Sequence, residues 1–254
     1  MPGQTEANAL AWTRDSHWLL LETPRQLFAL ATGGQAGSGI VATLGGLTER
    51  SFIGVDPAQP ASALLLEHDR ARAGRPERWR LLRADMRGRV RVLHADAHKI
   101  TGQAFDAAGR LAYLQRVEGD ALAIHRVDAR GALHPLLRCE RLHRCSLLPR
   151  TDAAGRLLLR HDLDGSLSRL ARVDADGRLR TLHVDPRGES DLDDVALDPA
   201  SGEPLVASYR GTQPDDEGLT DAARRNVDAL ARRFPRRGLS IEAGHGDDAP
   251  WLVA

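Results

Sequence analysis

The sequence predicts an all-β fold: a β-propeller of about five four-stranded antiparallel blades, with one helical insertion near the C-terminus and an incomplete last blade. Two observations predict it. A turn phrase, Asp-x-x-Gly followed by an aliphatic residue two positions on, recurs along the chain, and its copies are evenly spaced. The phrase begins at Asp85, Asp106, Asp128, Asp152, Asp174 and, in a looser form, at Asp198.

The spacing of the copies separates them into two sets. Alternate copies lie 43 residues apart (Asp85 to Asp128) or 46 residues apart (Asp106 to Asp152, for example). Asp hydrogen-bonds the backbone two residues on and Gly accepts a positive φ, so each phrase is a turn. Short apolar and β-branched runs lie between the turns. We therefore expect Asp106, Asp152 and Asp198 to occupy equivalent turns of successive blades, with the remaining copies in the other set.

The period assigns consecutive segments of the chain to blades. The alternative is a β-sandwich with coincidental spacing, which does not explain the repeated unit of about 40–50 residues. The expected blades are 7–46, 51–94, 99–138, 143–185 and a fifth from 191 to 210 that then breaks the pattern. We accordingly assign residues 1–212 to blades, 213–238 to a helical insertion and 239–254 to returning strands of an incomplete blade.

The break in the fifth blade is a helix. Apolar residues from Leu219 to Phe234 follow a 3.6-residue period. Thr220 is a suitable N-cap, and Pro235 ends the pattern. Six arginines cluster here, and we interpret them as a solvated helix face rather than a nucleic-acid or phosphate site. They are Arg224, Arg225, Arg232, Arg233, Arg236 and Arg237.

Composition excludes several classes of partner. The 254 residues carry 35 basic and 35 acidic side chains, so no bulk charge favours nucleic acid or an anionic membrane. No run approaches the roughly 18 apolar residues of a membrane helix. The N-terminus lacks the basic and apolar regions of a signal peptide, which favours a cytoplasmic location.

The sequence offers no nucleophile elbow. A hydrolase serine needs Gly-x-Ser-x-Gly, because the sharp strand-to-helix turn tolerates only small neighbours. The segment most similar to this motif surrounds Ser38, but Ala36 occupies the position of its first glycine. We therefore expect no catalytic residue in this chain.

Two further groups of residues have side chains that could bind a metal ion. Cys139, His143 and Cys145 lie within seven residues, with His134 and His98 not far away, but their spacing matches no closed zinc pattern. Ordinary residues between blades are the favoured reading, and a zinc site or a disulfide between the two cysteines are the alternatives. Carboxylates that could suggest Ca²⁺ are better explained by turns, so no metal or cofactor site is expected. They are Asp162, Asp164, Asp191, Asp193 and Asp194.

Four stretches of the chain carry a family resemblance. The order at the C-terminal end, with a helix after the last of these stretches, is the most specific part. The stretches are 52–57 (FIGVDP) with 63–67 (ALLLE), 79–85 (WRLLRAD), 105–113 (FDAAGRLAY) and 194–202 (DVALDPASG) with 205–209 (LVASY). Together they resemble the N-terminal propeller of the prolyl oligopeptidase (S9-type) family of serine peptidases.

The resemblance implies a hydrolase whose propeller covers the mouth of an α/β-hydrolase site and filters peptide substrates. No segment of this sequence encodes that catalytic domain, so the implied role is gating, with a peptide substrate or a hydrolase domain as partner. The alternative is a free-standing propeller module that binds a peptide or protein. A propeller lyase or glycosidase is a third possibility, without a convincing set of residues. Open edges on the first and last blades predict self-association.

Overall fold

The computed structural model consists mostly of β-strands in short antiparallel sheets. It describes residues 9–13, 15, 17–32, 38–45, 48–57, 59–71, 74, 76–140, 142–212, 214–243 and 251–253. Four sheets have four strands each, ordered along the chain, and a fifth has three. The sheets are the blades of a five-blade β-propeller, which confirms the expected fold class.

The observed strands follow the predicted blade boundaries closely. Blade 1 contains β1 (Ala9–Trp12), β2 (Trp18–Glu22), β3 (Gln26–Ala31) and β4 (Ser38–Thr43). Blade 2 contains β5 (Thr48–Val55), β6 (Ser62–Asp69), β7 (Arg78–Asp85) and β8 (Val90–Asp96). Blade 3 contains β9 (Ile100–Phe105), β10 (Leu111–Glu118), β11 (Ala121–Val127) and β12 (Leu133–Glu140). Blade 4 contains β13 (Cys145–Leu147), β14 (Leu157–His161), β15 (Arg169–Val173) and β16 (Leu179–His183). Blade 5 contains β17 (Leu192–Leu197), β18 (Pro204–Arg210) and β19 (Pro214–Gly218).

The chain divides into two compact units, 1–101 and 102–254. The first holds blades 1 and 2, and the second holds blades 3 to 5 apart from the first two residues of β9. Within each unit, neighbouring blades bury apolar side chains against each other. Leu20 and Leu27 of blade 1 share a buried cluster with Leu65 of blade 2, and Ile124 of blade 3 shares one with Leu159 of blade 4. Each core is thus a layer between two sheets.

The repeated turns fall into the two predicted sets. Asp106, Asp152 and Asp198 each begin the turn between the first and second strands of a blade. Asp85, Asp128 and Asp174 begin the turn between the third and fourth strands. In every turn the Gly N–H donates to the carbonyl of the leading Asp. The glycines in these turns have positive φ angles, as the turn chemistry requires.

The end of the chain closes blade 5 in a way that the sequence did not reveal. The strand β19 pairs with β18, although its sequence, PDDEG, has low strand propensity. The helix α1 (Asp221–Arg233) follows, with Thr220 as its N-cap, as predicted. The short strands β20 (Ile241–Glu242) and β21 (Leu252–Val253) pair with each other.

The helix and the β20–β21 pair cover the face of blade 5 that points away from blade 4. Ala223 and Val227 of α1 share a buried cluster with Val206 of β18 and with Ile241 of β20. Gly218 permits the close approach, because a Cβ there would lie 2.3 Å from the backbone nitrogen of Arg224. The apolar face of the last blade is therefore sealed by this chain. No described helix is long and apolar enough to cross a membrane.

Candidate functional site

The two ends of the blades differ in their connections. One end, which we call the turn end, carries the four-residue and five-residue turns that begin at Asp85, Asp106, Asp128, Asp152, Asp174 and Asp198. The other end, which we call the loop end, carries the connections between the second and third strands of a blade and those between successive blades. They include residues 70–77 and 97–99 in the first unit, and 119–120, 141–144, 162–168, 184–191 and 211–213 in the second.

At the turn end, the polar groups of the turns are hydrogen-bonded to one another. The Oδ1 atom of Asp152 accepts hydrogen bonds from the N–H groups of Ala154 (3.0 Å) and Arg156 (2.8 Å). Its Oδ2 atom lies 2.8 Å from Nε of Arg156 and 2.7 Å from Nε of Arg172. Asp106 repeats the bonds to the backbone and to its own turn arginine, Arg110. Turns satisfied in this way have little capacity left for a ligand.

At the loop end of blade 2, register places four side chains in one row across the sheet. Glu49, His68, Trp79 and Asp96 are successive cross-strand partners on β5, β6, β7 and β8. The rings of His68 and Trp79 stack with their centroids 3.9 Å apart and an interplanar angle of 9°. This row forms a rigid aromatic shelf flanked by carboxylates.

Charged groups hold the shelf in place. The Nε2 atom of His68 lies 2.6 Å from Oε1 of Glu77, and the indole N–H of Trp79 donates to the same oxygen over 3.2 Å. The ammonium group of Lys99 lies 5.8 Å from the Trp79 ring centroid, within reach of a cation–π interaction. Both faces of the indole therefore have neighbours.

A cavity of about 520 Å³ opens beside this shelf. Three carboxylates and one guanidinium line it, together with small apolar side chains. The lining residues are Asp69, Pro76, Glu77, Arg78, Ala95, Asp96 and Ala97. The recess therefore offers both apolar and charged contacts to a ligand.

The second unit also carries a cavity at its loop end, of about 390 Å³, lined by Arg187, Glu189, Ser190 and Thr212. Asp185 shapes its wall by accepting hydrogen bonds from the N–H groups of Arg187 (3.0 Å), Glu189 (2.9 Å) and Ser190 (2.7 Å). Burial pushes the pKa of Asp185 upward, but these donors outweigh it and hold the pKa below its ordinary value. The loop is thus preorganised by an ionised carboxylate.

The strands β16 and β18 of the same unit carry a pair of titratable groups, the partly buried His183 and the fully buried Tyr209. The hydroxyl of Tyr209 lies 2.7 Å from Nδ1 of His183. Burial lowers the pKa of His183 and raises that of Tyr209, which favours the neutral form of both groups. Burial and the neighbouring Asp215 carboxylate raise the pKa of Glu217. Perturbed groups often mark active sites, but Tyr209 is fully buried. The pair therefore joins β16 to β18, with its tyrosine closed to solvent.

Ser38 does not stand on a nucleophile elbow. It lies at the start of β4, paired with Leu30 of β3, on an extended strand and not on a strand-to-helix turn. Residues 33–37 of the same glycine-rich segment fall outside the described part of the chain. The position of Ser38 thus lacks the geometry that activates a serine in α/β-hydrolases.

The cysteine prediction needs correction. The sequence favoured two unpaired residues, but the Sγ atoms of Cys139 and Cys145 form a disulfide. The two Cα atoms lie 6.3 Å apart. They are close because β12 ends, and β13 begins, at the loop end of neighbouring blades. His143 turns instead to Oδ1 of Asp162, at 3.1 Å. Within the described residues, no group of three or more His, Cys, Asp or Glu side chains is placed to hold a metal ion.

The carboxylates that could suggest Ca²⁺ serve the loop end instead. Asp162 accepts the N–H of Arg144 over 2.9 Å, and Asp191 accepts the N–H of Ser168 over 2.7 Å and pairs with Arg144. Asp193 lies 3.7 Å from Arg210. The six clustered arginines of the helical region are all exposed, as a solvated face requires.

Sequence reasoning missed the loop-end shelf. Glu49, His68 and Trp79 lie far apart in the sequence and belong to no known motif. A signal was available, because pairing the apolar runs of β6 and β7 in a hairpin brings His68 opposite Trp79. The segment that connects β6 to β7 is eight residues long, however, so the register could not be predicted from turn chemistry.

No protein-family model and no curated protein matches the sequence. Several solved structures share its fold. Oligogalacturonate lyase in complex with manganese has a TM-score of 0.56 and 14% identity, over 100% of this chain and 78% of that one. Putative TolB from Agrobacterium tumefaciens has a TM-score of 0.54 and 15% identity, over 84% of this chain and 79% of that one.

Propeller domains of S9-type peptidases are also among the structural neighbours. Puromycin hydrolase has a TM-score of 0.51 and 15% identity, over 93% of this chain. The match covers 47% of puromycin hydrolase and 42% of dipeptidyl peptidase 4 from Porphyromonas gingivalis. At such identities the likeness shows a common fold and nothing finer.

Proposed function

We propose that this chain is a non-catalytic propeller that holds a peptide or protein segment at the loop end of its blades. The observation that carries the proposal is the asymmetry between the two ends. The repeated Asp-Gly turns satisfy their own polar groups at the turn end, whereas the loop end carries a cavity of about 520 Å³ in the first unit and one of about 390 Å³ in the second. Binding residues concentrate on loops that a rigid scaffold positions.

The chemistry of the cavities supports a peptide rather than a small apolar ligand. Each cavity combines acidic side chains with one arginine: Glu77 with Arg78 in the first, and Glu189 with Arg187 in the second. Side chains of both signs can pair with both ends of a peptide unit and with charged side chains. Ser38, at the nearest match to the elbow motif, lies on a strand without the hydrolase geometry.

The resemblance to the prolyl oligopeptidase family leads to a more specific form of the proposed function. In this form, which we call the peptidase version, the propeller selects substrates for a serine peptidase domain. Puromycin hydrolase shares the propeller fold that this version requires. The coding DNA that follows the codon for Ala254 discriminates the two versions. An in-frame α/β-hydrolase with Gly-x-Ser-x-Gly supports the peptidase version, and unrelated DNA after a stop codon favours an independent binding module.

The binding function is tested with a chymotryptic digest of casein as the probe. The purified chain is incubated with the digest, and peptides retained on ultrafiltration are identified by mass spectrometry. We expect a reproducible subset to be retained and released intact. Glu77→Ala and Arg187→Ala should each reduce retention at least five-fold.

The matched controls are arginines at the turn end. Arg87→Ala and Arg178→Ala remove exposed guanidinium groups from turns of blades 2 and 4, and they should leave retention unchanged. Retention of no peptide, or an equal loss in the turn-end variants, would contradict the proposal. Cleavage of the retained peptides would contradict the non-catalytic part.

A further inference from the structure

The disulfide between Cys139 and Cys145 closes a short ring at the loop end. It joins the end of β12 in blade 3 to the start of β13 in blade 4, and residues 140–144 lie between the two cysteines. Both cysteines are buried in the apolar layer between these blades. The chain has two cysteines in total, and both are in this bond, so its thiol redox chemistry is confined to this ring.

The ring restricts the connection that it encloses. By the loop-entropy relation, a cross-link that closes about seven residues makes the open form of the ring roughly 50-fold rarer than it is in the reduced chain. A hydrogen bond inside the ring adds to the restriction, because the N–H of His143 donates to the carbonyl of Glu140 over 3.0 Å. The ring therefore fixes the place from which His143 and Arg144 reach their partners.

The first partner is the connection between β14 and β15, residues 162–168. The Oδ1 atom of Asp162 accepts the N–H of Arg144 over 2.9 Å and lies 3.1 Å from Nδ1 of His143. The N–H of Asp162 donates back to the carbonyl of Arg144 over 3.3 Å. Because Asp162 is the first residue of that connection, the ring holds the connection at its start.

The second partner is the connection between blades 4 and 5, residues 184–191. The guanidinium of Arg144 pairs with Oδ2 of Asp191, whose Oδ1 accepts the N–H of Ser168 over 2.7 Å. The hydrogen bond from Ser168 and the charge of Arg144 hold the pKa of Asp191 below its ordinary value, against the effect of burial. Ser190, next to Asp191, lines the cavity of about 390 Å³, so the contacts of the ring extend to the wall of that cavity.

We propose that this disulfide is a redox-sensitive clamp for the loop end of blades 4 and 5. While the bond is closed, the ring holds Asp162 and Asp191 in place. When the bond is reduced, the 140–144 connection opens more often, and both contacts loosen with it. Any effect on ligand binding rests on the proposed function, whereas the clamp itself is a property of the fold.

A dithiol reductant supplies the two electrons and two protons of the reaction. One of its sulfurs attacks Sγ of Cys145, the more exposed of the two cysteines, and releases Cys139 as a thiol. The second sulfur of the dithiol then displaces Cys145 from the mixed disulfide. The products are two cysteine thiols and the cyclic disulfide of the reductant. Because both cysteines are buried, the reductant reaches them only when the ring opens, so reduction should be slower in the folded chain than in urea.

Amide hydrogen exchange, resolved by NMR in the full chain, tests the clamp without a ligand, so its outcome is independent of peptide retention. The chain is isolated in air and compared before and after reduction with dithiothreitol, with thiols titrated in denaturant. We expect no free thiol before reduction and two after it.

Reduction should speed the exchange of the Arg144 and Asp162 amides at least ten-fold, since cross-links often contribute less than the loop-entropy relation predicts. The Ser168 amide should exchange about three-fold faster, because it is held through a partly exposed ion pair. The Gly131 amide, in a turn-end hydrogen bond of blade 3, should not change.

Two variants separate the clamp from general loosening. The double variant Cys139→Ser, Cys145→Ser lacks the bond, so its Asp162 amide should exchange fast at the outset and not respond to dithiothreitol. If this variant fails to fold, the reduced native chain supplies the same comparison. Arg144→Ala keeps the bond and the backbone contacts to Asp162, so reduction should still speed exchange at Asp162 but no longer at Ser168.

Several results would overturn the proposal. They are free thiols in the untreated chain, a bond that dithiothreitol leaves intact in the folded chain, unchanged exchange at Asp162 after reduction, and an equal acceleration at Gly131. A response of Ser168 that persists in Arg144→Ala would overturn the link from the ring to Asp191.

Discussion

Replacing one of two equivalent turn glycines tests how closely blades 3 and 4 approach. Gly131 and Gly177 each close the turn between the third and fourth strands of their blades, and both have a φ angle of +82°. A Cβ on Gly131 would have no heavy atom within 4 Å. A Cβ on Gly177 would lie 2.5 Å from the carbonyl oxygen of Leu136, on β12 of the neighbouring blade.

Both substitutions therefore carry the free-energy cost of a positive φ angle. Only Gly177→Ala also creates a steric clash with the neighbouring blade. A left-handed backbone angle costs a non-glycine residue about 1–2 kcal/mol, which is our expectation for Gly131→Ala. In Gly177→Ala the turn must also move outward by about 0.7 Å or more to restore a tolerable contact. That shift disturbs the layer in which Val173 and Leu159 are buried, and overpacking of this kind costs roughly a further 1–3 kcal/mol.

Urea unfolding followed by circular dichroism measures both variants. We expect Gly177→Ala to lose at least about 1 kcal/mol more stability than Gly131→Ala, since the φ terms cancel in the difference. Equal losses would mean that the two blades do not approach as closely as the structure has them, and a larger loss in Gly131→Ala would refute the reasoning altogether.

Three further predictions concern an ion pair, the dependence of the melting temperature on pH, and catalytic activity. Asp152→Ala should destabilise the fold by about 2–3 kcal/mol, because it removes a buried carboxylate that accepts two backbone N–H groups and pairs with Arg172, which keeps only its contact with Glu203. In the same urea assay Asp106→Ala, in a more exposed copy of the turn, should cost about 1 kcal/mol, and similar losses would count against the buried pair. Burial lowers the pKa of His161, so below its ordinary value of about 6.5 the unfolded chain takes up a proton that the folded chain resists. The melting temperature should consequently fall as pH drops from 7.5 to 5.5, and His161→Asn should flatten that slope, unlike His134→Asn at an exposed position; a slope unchanged in His161→Asn would remove His161 as its cause. The chain should neither hydrolyse aminoacyl p-nitroanilides nor react with a fluorophosphonate probe, and stoichiometric labelling of Ser38 would contradict its assignment to a plain strand.

Local sequence determined the blades and the helix. An Asp that bonds the backbone two residues on, and a Gly that accepts a positive φ, fix a turn without help from distant residues, so six turns and their period were readable from the chain. The helix was equally local, since Thr220 supplies its N-cap and a 3.6-residue apolar period supplies its buried face.

Tertiary structure decided what local chemistry leaves open. The strand β19 forms because β18 offers unpaired backbone groups, against the low strand propensity of PDDEG. The pairing of Cys139 with Cys145 depends on how two blades stack, and turn chemistry does not specify that. The stack of His68 on Trp79 depends on a register set across a long loop.

The same division separates what the sequence predicted about function from what it could not. The absence of a nucleophile elbow in the text is a local property, because the elbow is a five-residue motif. The loop-end cavities and the aromatic shelf of blade 2 are not local. They arise where strands distant in the sequence meet side by side, and the energies that align them are summed over whole sheet faces rather than over any short segment.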